Sequence, residues 1–405
     1  MNILDIANAP VQALDYMDRL INDGPPSKMF FANNVSLQYN PLLVDQVNVD
    51  IVSFFDTPPK KYGEEPEIIS KTLGENGLFI HPDFHARAGA ILGEDCFKIS
   101  CEGVPTSSSR TIRLPHLQCY IKLHYPATLG RVSKALSRQD ILNSIDVTNA
   151  LYHAIRRGVV SPLLGFFPEV SGRGATIGDS EFTFTVRKSC AEAQRAEYIK
   201  YIVPAFSLYG KDYKNPHDPT LLAQLISNRI GVGCAYVEKL LIPVVDCYLS
   251  LLFLEGLQHE MHSQNFLLGF DEKWELQAII LRDLESIQKD LTIRSDNRIK
   301  ERIESYPSRC LWRGQENYEV KHSFMYDHKL FEFFIKPLVE KTEKNNIERC
   351  TEVYREIQGF VRNKYSAQIN EYFPKDGMWY KFDDVIVAQG IKRRLFLQCP
   401  HPAIR

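Results

Sequence analysis

The chain has 405 residues, 44% of them apolar and 24% charged, and its 48 basic and 50 acidic residues leave a formal charge of −2. That balance argues against a bulk electrostatic footprint for nucleic acid or anionic membrane, so any anion site has to be built locally. Nine cysteines, an odd number with no Cys-x-x-Cys pair, argue against a disulfide framework and a zinc knuckle, and a chain this long can bury a large core without either.

Residues 1–22 read as an amphipathic helix carrying Asp5, Asp15 and Asp18. No basic segment followed by an apolar stretch is present there, so no signal peptide is expected and the cytoplasm is the default compartment. A turn-rich stretch follows, with Gly24-Pro25-Pro26 and Pro58-Pro59. Residues 96–101 and 118–125 alternate or run apolar over strand length, with a polar loop between them. Helical spacing returns over 133–157 and closes at Gly158. Residues 181–187 form a strand pattern with Phe182, Phe184 and Val186 on one face. The next helical pattern runs from about residue 234 to 262. Its most apolar part, 240–254, is short for a membrane span and holds Pro243 and Asp246, so it reads as a buried helix. A short buried strand is expected over 276–281, helices over 297–306, 328–344 and 347–372, and a last strand over 385–397. The sum is an α+β protein with a β-rich middle and a helical C-terminal half.

Three constellations are candidates for chemistry, the alternatives being a solvated Ser/Thr turn, a polar helix end and a structural loop in turn. Thr106-Ser107-Ser108-Ser109-Arg110-Thr111 is a hydroxyl cluster ending in arginine, and Lys122 and His124 lie on the following strand. Hydroxyls and backbone N–H groups donate to phosphate oxygens, and Arg and Lys supply the charge. The second is Glu260-Met261-His262-Ser263-Gln264-Asn265, followed by Asp283 at the end of an apolar strand. Glu260, Gln264, Asn265 and Asp283 are the oxygen ligands that hard Mg²⁺ prefers. One continuous helix cannot aim all of them inward, so the helix is expected to end nearby. The third is His81-Pro82-Asp83-Phe84-His85-Ala86-Arg87-Ala88-Gly89, where a His and an Arg flank a Pro-fixed turn. The two histidines of His259-Glu260-Met261-His262 are three apart, which misses the zincin spacing, and neither a Walker A sequence nor a dinucleotide fingerprint occurs.

Together these segments resemble the NRPS-independent siderophore (NIS) synthetases, the family of aerobactin, achromobactin and desferrioxamine synthetases. Gly256, then Glu260, His262, Gln264 and Asn265, then Arg282-Asp283 fall at the family's offsets, and Pro243 stands where the family has a proline. The T-S-S-x-R-T loop followed by K-L, an H-P motif at His81-Pro82, and a P-E at Pro168-Glu169 before a strand ending in Arg187 occur in the family's order. The resemblance implies a cupped-hand fold: a shortened, thumb-like N-terminal region (1–75), β-rich fingers with the phosphate loop (76–190) and a mostly helical palm (191–405). It implies ATP held by Ser107, Ser108, Arg110, Thr111, Lys122, His262, Gln264, Asn265 and Asp283, with His81 and Arg87 nearby, and Mg²⁺ near Asn265, Asp283 and Glu260. Arg110, Lys122 and His262 would serve the reaction. That reaction is adenylation of a carboxylic acid, then transfer of the acyl group to an amine or alcohol. His262 and His124 are both candidates for deprotonating that nucleophile.

The sequence also departs from the family. Gly130 and Lys134 stand where a threonine and an arginine help hold citrate, and His85 replaces a lysine. The acid is therefore expected to meet a different cation set, drawn from His124, Arg131, Lys134 and Arg138. The expected partners are small molecules, with neither nucleic acid nor membrane. Members of the family often form dimers, and the sequence leaves that state open. A kinase-like phosphotransferase is the alternative enzyme, although the positions around His262 lack the catalytic Asp that kinases need. A catalytically degenerate binding protein is the alternative outside enzymes.

Overall fold

The computed structural model describes residues 1–22, 36–54, 58–83, 98–129, 132–177, 180–227, 235–299, 309–375, 379–387, 391–398 and 403–405. Its largest sheet is antiparallel and has eight strands: β1 (Val47–Ser53), β2 (Lys60–Gly63), β3 (Gly77–Ile80), β4 (Lys98–Pro105), β5 (Thr111–Leu114), β6 (Cys119–Leu123), β7 (Glu169–Ile177) and β8 (Ser180–Lys188). They lie in the order β2-β7-β8-β6-β5-β4-β1-β3.

The register gives this sheet two unlike faces. Ile112, Ile121 and Val186 stand opposite one another on β5, β6 and β8. With Leu114, Leu123, Phe182 and Phe184 they close an apolar core against Ile69 and Leu73 of the helix Glu67–Leu73. Strand alternation turns their neighbours the other way. Thr111, Lys122 and Thr185 form one cross-strand row on that face, and Arg113, Tyr120 and Arg187 the next. This face is also buried, with Lys122 2% and Arg187 4% exposed, so it requires polar partners from elsewhere in the chain.

A second, five-stranded sheet supplies some of them. Its strands run in the order Glu192–Ala193, Leu164–Phe166, Leu276–Leu281, Phe266–Phe270, Tyr201–Pro204. Leu281 pairs with Phe266 in antiparallel register, so residues 260–265 and 282–285 emerge side by side. Arg282 N–H donates to Asn265 O at 2.9 Å and ties them together.

The helical half centres on Ile242–Glu255, apolar on all sides and hence buried, and on the long helix Ile347–Tyr372. One core cluster joins them to Met17 and Ile21 near the N-terminus and to Phe331 and Phe334 of a π-helical stretch, Phe324–Ile335. Within residues 1–75, the N-terminal helices join this core, whereas β1, β2 and the helix Glu67–Leu73 join the eight-stranded sheet. No helix among the described residues is long and apolar enough to cross a membrane.

Several boundaries differ from the sequence expectation for local reasons. The N-terminal helix is two, Ile3–Asn8 and Pro10–Leu20, because Pro10 has no N–H to continue the first. The helix expected from residue 133 starts at Arg138, where Ser137 and Asp140 form a capping box, and it ends at Gly158 as expected. The helix expected to reach residue 262 stops at Gly256, whose φ is +61°. Beyond it, residues 300–306 of the expected helix 297–306 lie outside the described residues, and Leu291–Asp296 is helical. The last strand is a hairpin of two, Trp379–Val387 and Ile391–Gln398.

Candidate functional site

The turn between β4 and β5 is built by its own hydroxyls. Thr106 Oγ1 donates to Thr111 O at 2.8 Å, and Ser108 Oγ accepts from Thr111 N–H at 3.1 Å. Ser109 takes a left-handed conformation, φ 61°. His81 braces this turn: its Nδ1 accepts the Asp83 N–H at 3.1 Å, which leaves Nε2–H to donate to Ser109 O at 3.1 Å.

Ser107, Ser108 and Thr111 line a narrow cleft, with Gln264, Arg187, Arg282 and Asp283 on its other side. The two sequence clusters therefore meet in one space. Beside the cavity lies a compact charge network. Lys122 Nζ is 3.1 Å from Asp283 Oδ1 and also bonds Glu285, and the Arg110 guanidinium is 3.6 Å from Glu285. Arg187 donates to Glu169 Oε1 at 2.7 Å and also to Asp283. Asp283 itself sits at φ 62°, a conformation that Asp tolerates better than most residues.

Burial pushes the Asp283 carboxyl up, but Lys122, Arg187, Arg282 and Arg110 outweigh it and hold the group well below the usual carboxylate range. For Glu169 burial wins over Arg187, and its pKa is raised. Carboxylate oxygens of Glu169, Asp283 and Glu285 lie within 4.8 Å of one another. Glu169 Oε2 and Glu285 Oε2 are buried with no hydrogen-bond partner. Converging oxygens with unused lone pairs fit a hard divalent cation such as Mg²⁺.

Glu260 lies outside this acidic group. Its carboxylate pairs with Lys329 from the π-helical stretch; burial pushes it up, and Lys329 and His262 more than offset that, holding it at about 2. Asn265 Nδ2 donates to Glu260 O at 3.1 Å, within the tight turns that replace the helix after Gly256. His262 is buried, which lowers its pKa to about 3. Its Nδ1 accepts the Gln264 N–H at 3.3 Å, so in the neutral ring Nε2 carries the proton.

Of the four residues expected to hold the acid, His124 and Arg138 have described side chains. The His124 ring contacts the Leu136 backbone, with Nδ1 2.9 Å from Leu136 O. Arg138 is exposed, with its guanidinium 5.5 Å from the Tyr62 ring centroid. Lys134 is placed by its backbone alone, in the strand Val132–Lys134. Arg131 and Arg87 lie outside the described residues.

Asp18 went unnoticed in the sequence as a site residue. From the helix Pro10–Leu20 it accepts the Ser107 N–H at 3.3 Å and the Arg282 guanidinium at 2.8 Å, bridging both clusters. Glu285 had a faint signal, two residues beyond Asp283, as had Glu169 in its Pro-Glu pair.

No protein-family model and no curated protein matches the sequence. Solved structures do. The petrobactin biosynthesis protein AsbB of Bacillus anthracis str. Sterne aligns over 91% of this chain and 70% of its own, with a TM-score of 0.66 and 14% identity. ATP-bound aerobactin synthetase IucA from a hypervirulent pathotype of Klebsiella pneumoniae aligns over 93% of this chain and 75% of its own, with a TM-score of 0.61 and 12% identity. Aerobactin synthetase IucC from the same source aligns over 83% and 66%, with a TM-score of 0.56 and 13% identity.

Proposed function

We propose that this chain, which has the fold of the siderophore synthetases, uses ATP and Mg²⁺ to activate a carboxylic acid as its acyl adenylate and passes the acyl group to an amine or alcohol. The observation that carries the reading is the meeting of Ser107, Ser108 and Thr111 with Gln264 and Asp283 around one cavity. An ATP-bound structure among the matches of the same fold supports the choice of nucleotide.

The physical task is to bring two anions together. At about 4 Å, a carboxylate and one phosphate charge repel by about 4 kcal/mol at an effective dielectric of 20. Lys122 and Arg110, paired with Asp283 and Glu285, would exchange those partners for the triphosphate. The hydroxyls of Ser107 and Ser108 would add neutral donors and fix its position. Glu169, Asp283 and Glu285 would hold Mg²⁺, which when bound neutralises triphosphate charge and orients it.

In the first step an oxygen of the substrate carboxylate bonds to the α-phosphorus, and the bond to pyrophosphate breaks. In the second the amine or alcohol attacks the acyl carbon, AMP leaves with the bonding electrons, and the nucleophile gives up its proton. His262, neutral with its proton on Nε2, is suited to hydrogen-bond a substrate oxygen rather than to take that proton. Positioning supplies most of the remaining rate.

The test is a screen of acid-dependent nucleotide turnover across citrate, succinyl-amines, 2-oxoglutarate and other polycarboxylates, with product identification. AMP and pyrophosphate in equal amounts are expected. ADP would replace this reading with a phosphotransferase, and nucleotide binding without turnover on any acid would replace it with a binding protein.

A further inference from the structure

A second cavity, of about 450 Å³, lies at the opposite end of the strand that leads to Asp283. Leu276 at the strand's start lines it, and Asp283 lies seven residues on, roughly 23 Å away at the rise of an extended chain. The two cavities share no lining residue.

Its floor is apolar, formed by Leu163, Leu240, Phe270, Trp274 and Leu276. Its rim is cationic. Arg195, Lys239 and Lys273 line it and are exposed, against the single acid Glu275. Arg195 and Lys273 have no ion-pair partner among the described residues. A cluster of cations on a chain of net charge −2 is a local feature.

Trp274 is the notable residue of the floor. It holds a left-handed backbone, φ 63°, which a bulky side chain rarely adopts. Asp271 fixes that turn: its Oδ1 accepts the N–H groups of Lys273 at 2.8 Å and Glu275 at 2.9 Å. The indole stacks on Tyr201, with ring centroids 4.7 Å apart. Strain of this kind, held by a built turn and aimed at a cavity, is typical of ligand sites.

We infer that this cavity is a second small-molecule site, for a carboxylate carrying an aromatic or short acyl body. The floor takes the apolar body against Trp274 and Phe270, and the carboxylate meets Arg195 and Lys273 at the rim. Free phosphate would leave the apolar floor unused, and three cations in one pocket do not track a nucleic-acid backbone.

The site is independent of the proposed adenylation chemistry, and so is its test. 2-Naphthoate is titrated into the full chain carrying Trp312→Phe and Trp379→Phe, so that Trp274 is the remaining tryptophan fluorophore. Saturable quenching is expected. Its dissociation constant should weaken at least tenfold in Arg195→Glu/Lys273→Glu, which alters only exposed side chains, and should stay unchanged in Lys122→Met. The uncharged 2-naphthylmethanol should bind at least tenfold more weakly. Absence of saturable quenching, equal affinity in the charge-reversed variant, or loss of binding in Lys122→Met instead, overturns the assignment.

Discussion

Replacing Glu285 with Gln tests how the charge network is poised. Lys122 is 2% exposed and is held by Asp283 at 3.1 Å and by Glu285, whose carboxylate also lies 3.6 Å from Arg110. The substitution keeps the shape and removes one negative charge. Breaking a buried pair from one side costs about 3–5 kcal/mol. Asp283 still holds Lys122, so roughly half of that, about 2 kcal/mol, should disappear from the unfolding free energy. The same change frees Lys122 and Arg110 from a competing anion. Metal-free pyrophosphate should therefore bind more tightly, by up to about 30-fold if the whole 2 kcal/mol is recovered on binding. Magnesium-dependent turnover should fall, because one carboxylate of the proposed metal site is gone. Denaturant unfolding with and without pyrophosphate reads both effects. Wild-type stability together with unchanged or weaker pyrophosphate affinity would show that Glu285 does not restrain Lys122 and Arg110.

Other substitutions probe the supports of the site. Asp18→Asn removes the charge bonded to Arg282 and Ser107 N–H; about 1.5–3 kcal/mol is at stake for a charge-assisted bond. KM for ATP should rise at least fivefold while kcat changes less, and an unmoved KM would deny Asp18 a positioning role. His262 has its folded pKa lowered to about 3 by burial, so stability is complete above the unfolded value near 6.5 and falls as the pH drops towards 3, at up to about 1.4 kcal/mol per pH unit. In His262→Gln the unfolding free energy should lose that slope between about pH 6.5 and 4.5, and a slope equal to wild type would place the acid sensitivity elsewhere. A Cβ at Gly256 would meet Arg294 Cγ at 2.6 Å and Asp290 O at 2.7 Å, on a backbone with φ +61°. Gly256→Ala should accordingly cost about 1–3 kcal/mol, measurable as a lower melting temperature; an unchanged one would show that the turn relaxes freely.

The parts of the site legible in the sequence are those whose chemistry is written locally. The hydroxyl turn 106–111 announces itself by composition, and Asp283 by standing just beyond an apolar strand. Their meeting follows from register, since Leu281 opposite Phe266 delivers residues 282–285 beside 260–265. Arg187 was readable too: with Phe182, Phe184 and Val186 on the apolar face, alternation leaves Arg187 on the polar one.

What escaped depends on contacts distant along the chain. Asp18 meets Arg282 across 264 positions, and no spacing rule links them. Glu260 looked like a metal ligand because nothing near it in sequence showed that Lys329 would claim its carboxylate. Likewise His81 looked like a ligand contact until the Asp83 N–H and Ser109 O took both ring nitrogens. Residue type suggested the chemistry in each case, and the tertiary partner decided its use.

A nucleotide is proposed to bind between the 106–111 turn and Asp283. The most direct measurement is a structure of the protein with Mg²⁺ and α,β-methylene-ATP. Triphosphate oxygens should contact Ser107, Ser108 and Lys122, and the metal should sit on the Glu169, Asp283 and Glu285 cluster. A nucleotide bound elsewhere, with Lys122 still held by Asp283 and Glu285, would contradict this placement.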